Sequence, residues 1–400
     1  MSNNKLKIGF FIPYFAPAWR FGGELRGTYE LGKSLAKLGH QIRIYCTDVS
    51  NSKGKRHDES FKIIDGMDVY YFKNLSNQLA SKFKIFLPIK MKKFVSQAIQ
   101  KLDIIHLQNL YSIITFMVYH EVKKKNKPLF ISTRGTLSSF SQRSFKTPKK
   151  ILNIYMRKVL KRADLVFAQT KDEKLDCLKF GLKNVRVISN GIEKKIFENL
   201  PSGIKFREKY NINHDELIIL YLGRISRVKG IEYLIKSFSN LKNKKSYNIK
   251  LVVIGPDDNY LKNLKGLMDK SDCKKDIIFI NGLYGKEKIE ALSSADIFCL
   301  PSLYDCCPNS LLEACASGLP VITTDRNGLS DLIKEDLGLV VPAGNTAQLE
   351  AALQFLIENP KIRKKYGNLA RKKIMNEYSW KRVSQKLEKY YLKSYEKYMR

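Results

Sequence analysis

Short apolar runs that alternate with amphipathic helical patterns constrain the fold of this chain more than any other feature. The runs are rich in β-branched residues and lack polar alternation, as expected of parallel strands covered on both faces. The predicted strands are residues 7–12, 41–46, 69–72, 103–106, 128–133, 164–169, 185–188, 217–222, 250–254, 276–280, 295–300, 319–323 and 338–341. Helical patterns such as 24–38 and 231–241 separate them, and only helical patterns follow residue 341. This alternation predicts an α/β fold with doubly wound parallel sheets and right-handed crossovers.

The length of the chain and its turn signals indicate two domains. Four hundred residues exceed what one ordinary core accommodates and suit two domains of similar size. The Asn190-Gly191 turn signal places the boundary within 190–215. We predict Rossmann-like domains at 1–195 and 205–378, with a C-terminal helix at 379–400 that packs back on the first. Two such domains in series would bind ligands in an interdomain cleft, between the carboxyl ends of facing sheets.

The charge balance is strongly basic and uneven. The chain carries 72 Lys and Arg residues against 38 Asp and Glu, a formal net charge of +34. Residues 1–200 contribute +23 of this charge and residues 201–400 contribute +11. A first half this basic indicates a polyanionic partner, either a nucleic acid or an anionic lipid surface. A lysine-rich composition throughout would explain the excess equally well.

Cysteine usage and the distribution of apolar residues favour a cytoplasmic location. The seven cysteines form no Cys-x-x-Cys pair, and no histidines accompany them at metal-ligand spacing. We therefore expect reduced, mostly structural thiols and no bound metal. The apolar run at 8–12 is too short for a signal peptide, and no run approaches the roughly 18 apolar residues that span a bilayer.

The first predicted strand leads into a turn with two adjacent glycines, Gly22 and Gly23, directly before a helix. Paired glycines let backbone N–H groups approach a phosphate at a helix N-terminus, although they also serve ordinary tight loops. Their spacing matches neither the dinucleotide fingerprint nor a Walker A sequence. On its own, the turn is a weak indication of a phosphate site.

A second glycine turn follows the first strand of the second half, in the segment from Tyr221 to Gly230. Gly223 permits a turn at the carboxyl edge of the sheet. Arg224 then offers a fork of donors, and Lys229 adds a point charge just before the next helix. Two such cations suit a diphosphate whose negative charge grows as a glycosidic bond breaks. The alternative is two surface cations in a basic chain, but their position at a sheet edge favours the binding role.

The most informative segment spans residues 300–322. A strand ends at Pro301, a loop carries Asp305, and a helix begins near Asn309 after Pro308, with Glu313 in its first turns. The helix N-terminus can receive a phosphate or a sugar hydroxyl, and the two carboxylates can accept hydroxyl protons. A surface aspartate and a capping glutamate would explain the charges, but not their occurrence in this strand–loop–helix context.

With these residues the chain resembles the retaining glycosyltransferases of the large family four, which includes sucrose synthases, bacterial glycogen synthases and phosphatidylinositol mannosyltransferases. The resemblance covers nearly the whole chain. The matching motifs, in order, are Gly22-Gly23, Asp103-Ile-Ile-His106, Val187-Ile-Ser-Asn190-Gly191, Gly223-Arg224 with Lys229-Gly230, Ala295-Asp296 to Pro301-Ser302, and the carboxylate segment from Asp305 to Glu313. Single pieces of this set are common, but the ordered set is highly specific.

The resemblance implies a GT-B fold, an acceptor bound mainly by the first domain and a UDP- or GDP-linked sugar bound by the second. It implies transfer of a hexose-type sugar with retention of anomeric configuration, without a metal or a cofactor. Arg224 and Lys229 would hold the diphosphate, and Glu313 would hold the ribose hydroxyls. The loop that begins at Asp305 would contact the sugar. The remaining implied donor-site residues are Gly22, Gly23, Gly223, Gly282, Leu283, Cys306, Cys307, Pro308, Asn309 and Ser310.

Two residues depart from the pattern of the family. Asp305 replaces the first glutamate and is one methylene shorter, which changes the reach of the carboxylate to the donor sugar. Arg134 lies where many members carry a histidine, and it cannot act as a general base because it stays protonated. We expect Arg134 to stabilise the departing diphosphate or to bind an anionic acceptor. His106 ends a strand and is a further acceptor-side candidate, with a structural role as the alternative.

Two segments of the first half, 82–94 and 146–162, mix basic with apolar residues. Both could lie on an anionic leaflet with their apolar side chains inserted, or could be solvated helix faces above a core. At about 1 kcal/mol for each Lys or Arg near such a surface, roughly four to six contacts would suffice for reversible binding. We expect a lipid-linked or glycan acceptor at the inner face of the cell membrane, as in the assembly of surface polysaccharide or glycolipid.

Two other functions remain as alternatives. A nucleic-acid-binding protein would explain the charge, but no recognition helix, aromatic stacking strip or zinc module accompanies it. A sugar-nucleotide epimerase or a phosphorylase would keep the fold and change the reaction. Epimerases usually lack the signature of Arg224 and Lys229, and no cofactor-lysine site of a phosphorylase is recognisable. Transfer of a sugar to an acceptor without nucleic acid is therefore the expected function.

Overall fold

The computed structural model describes residues 5–50, 55–138, 140–141, 148–269 and 273–400. The chain forms two compact units, residues 1–190 with 380–400, and residues 191–379. Each unit is a parallel sheet with helices packed against it. This architecture confirms the predicted α/β fold with two doubly wound domains.

The first unit is built on an eight-stranded sheet in the order β3-β4-β2-β1-β5-β6-β7-β8. Its strands are β1 (Lys7–Phe11), β2 (Gln41–Thr47), β3 (Phe61–Ile64), β4 (Met67–Phe72), β5 (Ile104–Leu107), β6 (Leu129–Ser132), β7 (Leu165–Ala168) and β8 (Val185–Val187). All neighbouring pairs are parallel except β3 with β4. The predicted strands of this half all form, with small differences at their ends.

β3 was not predicted because it lies at the edge of the sheet and most of its side chains are exposed. Asp65 and Gly66 connect it to β4, and both have positive φ, +47° and +79°. An Asp-Gly pair with positive φ is the sequence signal of a two-residue hairpin turn. This local signal was present in the chain, but the strand before it has only four residues and its apolar residues are interrupted by Lys62.

Helices cover both faces of the first sheet. They are α1 (Gly23–Lys37), α2 (Asn77–Phe83), α3 (Met91–Gln100), α4 (Ile113–Lys125), α5 (Pro148–Arg162), α6 (Lys171–Lys179) and, from the end of the chain, α16 (Trp380–Met399). α16 packs against α1, and Trp380, Leu387 and Tyr391 are buried in the core with the strands. Two polar contacts support this packing, Ser34 Oγ with Ser384 Oγ at 2.8 Å and His40 Nε2 with Glu388 Oε1 at 2.8 Å.

The second unit is built on a six-stranded parallel sheet in the order β11-β10-β9-β12-β13-β14. Its strands are β9 (Leu217–Leu222), β10 (Ile249–Ile254), β11 (Ile277–Ile280), β12 (Ile297–Leu300), β13 (Val321–Thr324) and β14 (Gly338–Val341). Its helices are α7 (Lys194–Glu198), α8 (Ile204–Lys209), α9 (Ile231–Lys244), α10 (Leu261–Met268), α11 (Gly285–Ser294), α12 (Asn309–Ala316), α13 (Ser330–Ile333), α14 (Thr346–Glu358) and α15 (Pro360–Glu377). The six predicted strands of this half all form.

Each sheet contains a point where the order of the strands reverses. In the first unit the connections from β1 and β5 lead in opposite directions, and in the second those from β9 and β12 do the same. The loops after these neighbouring strands therefore separate and leave a crevice at the carboxyl edge, where open α/β sheets bind ligands. Within the described residues, no helix combines the length and the apolar character needed to cross a membrane.

Candidate functional site

The switch point of the second unit brings two predicted site residues into contact. Lys229 follows β9 and Asp305 follows β12, and Lys229 Nζ forms an ion pair with the Asp305 carboxylate. Each side chain is only 15% exposed. The two residues were expected to hold different parts of a donor, the diphosphate and the sugar. The structure places their charges at one point of the crevice.

Glycine at position 230 allows the two loops to approach this closely. Gly230 has a φ of +64°, and a Cβ atom there would lie 2.2 Å from the carbonyl oxygen of Pro301. Any other residue would therefore be strained and would push the loop after β12 away. A backbone hydrogen bond from Leu303 N to Val228 O, 2.9 Å, fixes the same approach.

The backbone around Asp305 is held by the loop that follows β13. Asp305 N donates to Arg326 O at 3.2 Å, and Gly328 N donates to Asp305 O at 2.8 Å. These bonds fix the main chain on both sides of the Asp305 peptide. The position of the carboxylate therefore depends on three loops, those after β9, β12 and β13.

Arg224, the other predicted diphosphate ligand, is half exposed and pairs with Asp258, with 3.1 Å between its Nη1 and the carboxylate Oδ2. Its carbonyl accepts a hydrogen bond from the phenol of buried Tyr221 at 2.8 Å. Burial, followed by the charge of Asp305, raises the pKa of Tyr221 well above its ordinary value. The phenol thus stays a neutral donor and anchors the start of the loop, while the Arg224 guanidinium remains accessible.

Glu313 lies in the second turn of α12, and its Oε1 is 2.6 Å from the ammonium nitrogen of Lys288 on α11. Both side chains are largely buried, with exposures of 21% and 16%. Lys288 was not among the predicted residues. The sequence pattern of α11 does not distinguish it from Lys286, which is 77% exposed two residues earlier. A cation beside Glu313 reduces the repulsion between this carboxylate and a bound diphosphate.

The remaining predicted donor residues of this unit lie on loops at the same sheet edge or in the first turn of α12. Pro308 is the N-cap of α12 and Asn309 its first residue, so the N-terminus of that helix ends the loop after β12. The first N–H groups of a helix lack intrahelical acceptors and favour anions. Cys307 is buried in the core, whereas Cys306 is partly exposed. Gly282 follows β11, and a Cβ there would lie 3.2 Å from the ring of Pro256.

Gly22 and Gly23, the other predicted donor contacts, belong to the first unit. Gly22 has a φ of +95° and is the N-cap of α1. No atom lies within 4 Å of the point where a Cβ of Gly22 would be, among the residues that the structure describes. This turn therefore leaves open space directly before α1.

Glu24, which was not predicted, lies at the switch point of the first unit. It follows β1, and its Oε1 accepts a hydrogen bond at 2.9 Å from Nδ2 of Asn109, which follows β5. Its Oε2 accepts a hydrogen bond at 2.7 Å from the phenol of Tyr14. Burial raises the pKa of Glu24, and the two donors and the charge of Arg134 offset only part of this effect. Asn109 lies 85 residues away along the chain, so no local pattern indicates the pair.

Arg134 lies close to Glu24 and is held by side chains from three parts of the sheet edge. Its Nη2 donates to Gln108 Oε1 at 2.7 Å and to Thr28 Oγ1 at 3.2 Å, and its Nη1 donates to Asn190 Oδ1 at 3.3 Å. A Cβ at Gly27 would lie 2.7 Å from Nη1, so glycine makes room for the guanidinium. Arg134 is therefore fixed at the carboxyl edge of the first sheet.

A buried carboxylate holds the turn that carries Arg134. Glu173, only 2% exposed, accepts hydrogen bonds from Thr133 Oγ1 at 2.6 Å, from Gln169 N at 2.6 Å and from the N–H of Gly135. Arg134 itself has a φ of +50°, which is unfavourable for a residue with a Cβ. The bonds to Glu173 on both sides of Arg134 stabilise this conformation.

His106 lies inside the core, which favours the structural alternative over an acceptor-side role. It is fully buried among the rings of Phe10, Phe130 and Phe167. One ring nitrogen bonds to the phenol of Tyr391 and the other to Ser132 Oγ at 2.9 Å. Burial, with a smaller contribution from Arg134, lowers its pKa well below the ordinary value. The side chain is a neutral part of the core.

Both halves of the chain match family models. Residues 203–373 match the model described as glycosyl transferases group 1, and residues 21–195 match the model described as glycosyltransferase family 4. The two matches together span most of both units. Among the described residues, no group of three or more His, Cys, Asp or Glu side chains is arranged to hold a metal ion.

Curated relatives cover most of the chain at low identity. An uncharacterized glycosyltransferase of Methanocaldococcus jannaschii is 25% identical over 366 residues, which are 88% of this chain and 90% of that protein. The alpha-monoglucosyldiacylglycerol synthase of Streptococcus pneumoniae is 26% identical over 363 residues, 89% of this chain and 79% of that protein.

Solved structures share the fold along the whole chain. Sucrose-phosphate synthase from Thermosynechococcus elongatus has a TM-score of 0.78 at 18% identity, with 98% of this chain and 100% of that chain covered. The Anabaena protein HepE, in complex with UDP-glucose, has a TM-score of 0.76 at 16% identity, with 96% and 98% covered. These neighbours are GT-B glycosyltransferases, and this chain has the same fold class.

Proposed function

Because this chain belongs to the glycosyltransferases, with a group 1 region in its second unit and a family 4 region in its first, we propose that it uses a nucleotide diphosphate sugar as donor. The sugar is a hexose, and it is transferred to a hydroxyl of a glycan or lipid-linked acceptor with retention of configuration. UDP or GDP carries the sugar. The product enters cell-surface polysaccharide or glycolipid.

The ion pair between Lys229 and Asp305 is the observation that carries this proposal. It lies at the switch point of the second unit, where a ligand of an open α/β sheet would bind. A donor would exchange one partner for another: its diphosphate would take Lys229, and its sugar hydroxyls would take Asp305. The site therefore has a cation and a carboxylate side by side before a ligand binds. This arrangement suits a ligand that is anionic at one end and hydroxylated at the other.

The same arrangement supports breakage of the glycosidic bond. As the bond between the anomeric carbon and the phosphate oxygen breaks, its electron pair stays on the diphosphate and the negative charge there grows. Lys229 and the accessible Arg224 stabilise that charge more strongly than they stabilise the ground state. Glu313, with Lys288 beside it, holds the ribose. The acceptor oxygen then forms the new bond to the anomeric carbon, and its proton passes to the departing phosphate oxygen.

A surface of the first unit, residues 75–94, supports a membrane-proximal acceptor. Leu79 and Phe83 lie one turn apart on α2 and are 39% and 57% exposed. The other exposed large apolar side chains of this segment are Leu75, Ile85, Ile89 and Phe94. Its exposed lysines are Lys82, Lys84, Lys90, Lys92 and Lys93, and residues 73–101 contain no acidic residue.

We refer to residues 75–94 as the basic apolar segment and propose that an anionic bilayer binds it. Apolar side chains would insert at the headgroup boundary while the lysines contact anionic lipids. At about 1 kcal/mol for each lysine near such a surface, roughly five lysines suffice for reversible binding. The name of the pneumococcal relative describes synthesis of a diacylglycerol glycolipid, which favours the same acceptor class. The enzyme would then work at the inner face of the cell membrane.

The second predicted membrane segment, 146–162, contributes less to this proposal. Residues 146 and 147 lie outside the described residues, and the rest forms α5. Ile154 on α5 is 64% exposed, but Met156, Val159 and Leu160 are buried in the core. The helix therefore serves mainly as a cover of the first sheet.

Thermal shift with UDP, GDP, ADP and their sugar conjugates tests the donor. A ligand at about 100 times its dissociation constant stabilises the folded state by about 2.7 kcal/mol. We expect one nucleotide to raise the melting temperature of the wild type and of Lys286→Ala, but not of Lys229→Ala. Shifts from none of the nucleotides would contradict the proposal. The anomeric configuration of a product, determined by NMR, tests retention separately.

A further inference from the structure

Glu24 and Asn109 lie at the switch point of the first unit, and neither was assigned a part in donor binding above. Glu24 follows β1 and Asn109 follows β5, the two strands at which the order of this sheet reverses. A carboxylate joined to an amide across this point lies where an open α/β sheet would bind a ligand. Its equivalent in the second unit, the pair of Lys229 and Asp305, lies at the position proposed for the donor.

Glu24 is held firmly and still has capacity to accept hydrogen bonds. Oε1 of Glu24 accepts a hydrogen bond from Asn109 Nδ2 at 2.9 Å, and Oε2 accepts one from the Tyr14 phenol at 2.7 Å. An ionised carboxylate offers about four acceptor sites, so about two remain for hydroxyl groups of a ligand. The open space beside Gly22, two residues before Glu24, gives a ligand room at this turn.

An independent observation at the same place is a buried donor that lacks an acceptor. Gln108 is fully buried, and its Oε1 accepts from Arg134 at 2.7 Å and from Thr28 at 3.4 Å. Within the part of the chain that the structure describes, no group accepts a hydrogen bond from its Nε2. Leaving a buried donor without an acceptor costs about 1–3 kcal/mol, and the oxygen of a bound hydroxyl would remove this cost.

The residues around Glu24 also connect it to the basic apolar segment. The ring of Tyr14 stacks on Phe21 with 4.3 Å between centroids, and it lies 5.3 Å from the ring of Phe86. Phe86 is the buried aromatic residue of the basic apolar segment, and Lys84 of that segment lies 4.4 Å from the centre of the Phe21 ring. A ligand that reaches Glu24 with a hydroxylated head can therefore place an apolar tail against the exposed side chains of residues 75–94.

We propose that Glu24 binds a hydroxyl group of the acceptor, and that the acceptor is an amphiphile with a hydroxylated head and an apolar tail. This inference rests on the proposed function, because only a protein that transfers a sugar has an acceptor. The binding of a hydroxyl group at Glu24 does not itself depend on that function. Asn109 and Tyr14 are positioning residues that orient the two oxygens. The head binds between Glu24 and Gln108, while the tail extends toward the basic apolar segment.

Octyl β-D-glucopyranoside, below its micelle concentration, is a suitable probe because it combines sugar hydroxyls with an alkyl chain. Its binding to the full chain is measured by titration calorimetry for the wild type, Glu24→Gln, Asn109→Ala and the control Glu30→Gln on the same helix. We expect saturable binding that weakens at least fivefold in Glu24→Gln and less in Asn109→Ala, with the control unchanged. Melting temperatures identify any variant that fails to fold, and Glu24→Asp then replaces Glu24→Gln.

Two results would overturn the inference: no saturable binding to the wild type, or equal affinity in wild type and Glu24→Gln. Nucleotide binding, measured on the same four proteins, separates this inference from the proposed function. If the wild type binds no nucleotide, the proposed donor chemistry fails while the hydroxyl site is judged by its own titration. If nucleotides bind equally to all four proteins and the probe binds all of them alike, only the role of Glu24 is rejected.

Discussion

Lys229 and Asp305 form an ion pair across the switch point of the second unit, although 76 positions separate them in the chain. Their side chains are mostly buried, so neither charge is fully hydrated, and each depends on the other in the absence of a ligand. A donor that takes over both partners therefore replaces one electrostatic interaction by two. This relationship predicts different consequences for nucleotide binding and for sugar transfer.

Asp305→Asn should separate these two consequences. Loss of the carboxylate frees Lys229 for the diphosphate, so free UDP or GDP should bind as tightly as to the wild type or more tightly. The sugar loses an acceptor for its hydroxyl groups, and we expect kcat to fall by a factor of about 10–1000. Titration calorimetry and steady-state rates measure the two effects. Asp331→Asn, at an exposed position, is the control, and a parallel loss of nucleotide affinity would contradict the exchange of partners.

Arg134→Ala and Arg134→Gly remove the same guanidinium but differ in backbone strain. The φ of +50° at this position favours glycine. The free energy of unfolding of the glycine variant should therefore exceed that of the alanine variant by about 1 kcal/mol. Both variants should lose transfer activity to a similar extent, because each lacks the cation that we expect to contact the acceptor or the diphosphate. Denaturant unfolding and kcat/KM test the two statements. Wild-type kinetics in either variant would exclude a role of Arg134 in transfer.

Glu173→Gln should destabilise the first unit without a direct effect on nucleotide binding. The buried carboxylate accepts from Thr133, Gly135 and Gln169, and the amide of glutamine provides one oxygen in place of two. A lost acceptor for a buried donor costs about 1–3 kcal/mol. We expect a lower melting temperature and normal UDP or GDP affinity, whereas Glu208→Gln at an exposed site should change neither. Unchanged melting would show that the turn at Arg134 does not need this carboxylate.

His106 should make the stability of the protein depend on pH in the acidic range. Its pKa in the folded state lies well below the ordinary value because the ring is buried, while the unfolded chain titrates near 6.5. Its contribution to stability is therefore complete above about pH 6.5 and declines as the pH falls, by up to about 1.4 kcal/mol for each pH unit.

Urea unfolding at several pH values measures this effect. The stability advantage of the wild type over His106→Asn should shrink as the pH falls from 7 to 5. The matched change His214→Asn, at an exposed histidine, is the control. A constant difference for His106→Asn would mean that the buried ring takes up a proton without unfolding.

Charge reversal of Lys90, Lys92 and Lys93 should abolish binding to anionic membranes. All three lysines are exposed in the basic apolar segment, and reversal replaces attraction by repulsion at the lipid surface. Sedimentation with phosphatidylglycerol-containing vesicles at low salt measures the bound fraction. The control variant changes Lys361, Lys364 and Lys365 to Glu. These lysines are also exposed but lie in the second unit, so the two triple variants have the same total net charge. Equal losses in the two triple variants would show that total charge, and not this segment, determines binding.

The fold was predictable because its signals are local. Runs such as Leu217–Leu222 are continuous, apolar and bounded by turn residues, and this is enough to recognise a parallel strand. β3 was missed because it has only four residues and Lys62 interrupts its apolar residues, although Asp65 and Gly66 indicated the hairpin. The kind of binding site could be predicted for the same reason, because the motif residues directly follow the ends of predicted strands.

The contacts inside the two candidate sites were not predictable from local patterns. Lys288 becomes the partner of Glu313 only when α11 packs beside α12, and its neighbour Lys286 has the same local sequence context. Glu24 and Asn109 meet only because β1 and β5 are neighbours in the sheet. The burial that lowers the pKa of His106 likewise depends on rings from neighbouring strands. Such pairs are set by the order of strands and helices in space.

The placement of α16 in the first unit also determines the order in which the two units are completed during synthesis. Trp380, Leu387 and Tyr391 belong to the core of the first unit, but they are translated after every residue of the second. The second unit is a continuous segment and has all its strands and helices before α16 exists. On the ribosome, therefore, the unit that begins the chain is the last to be finished, and until then its sheet exposes the apolar face that α16 later covers.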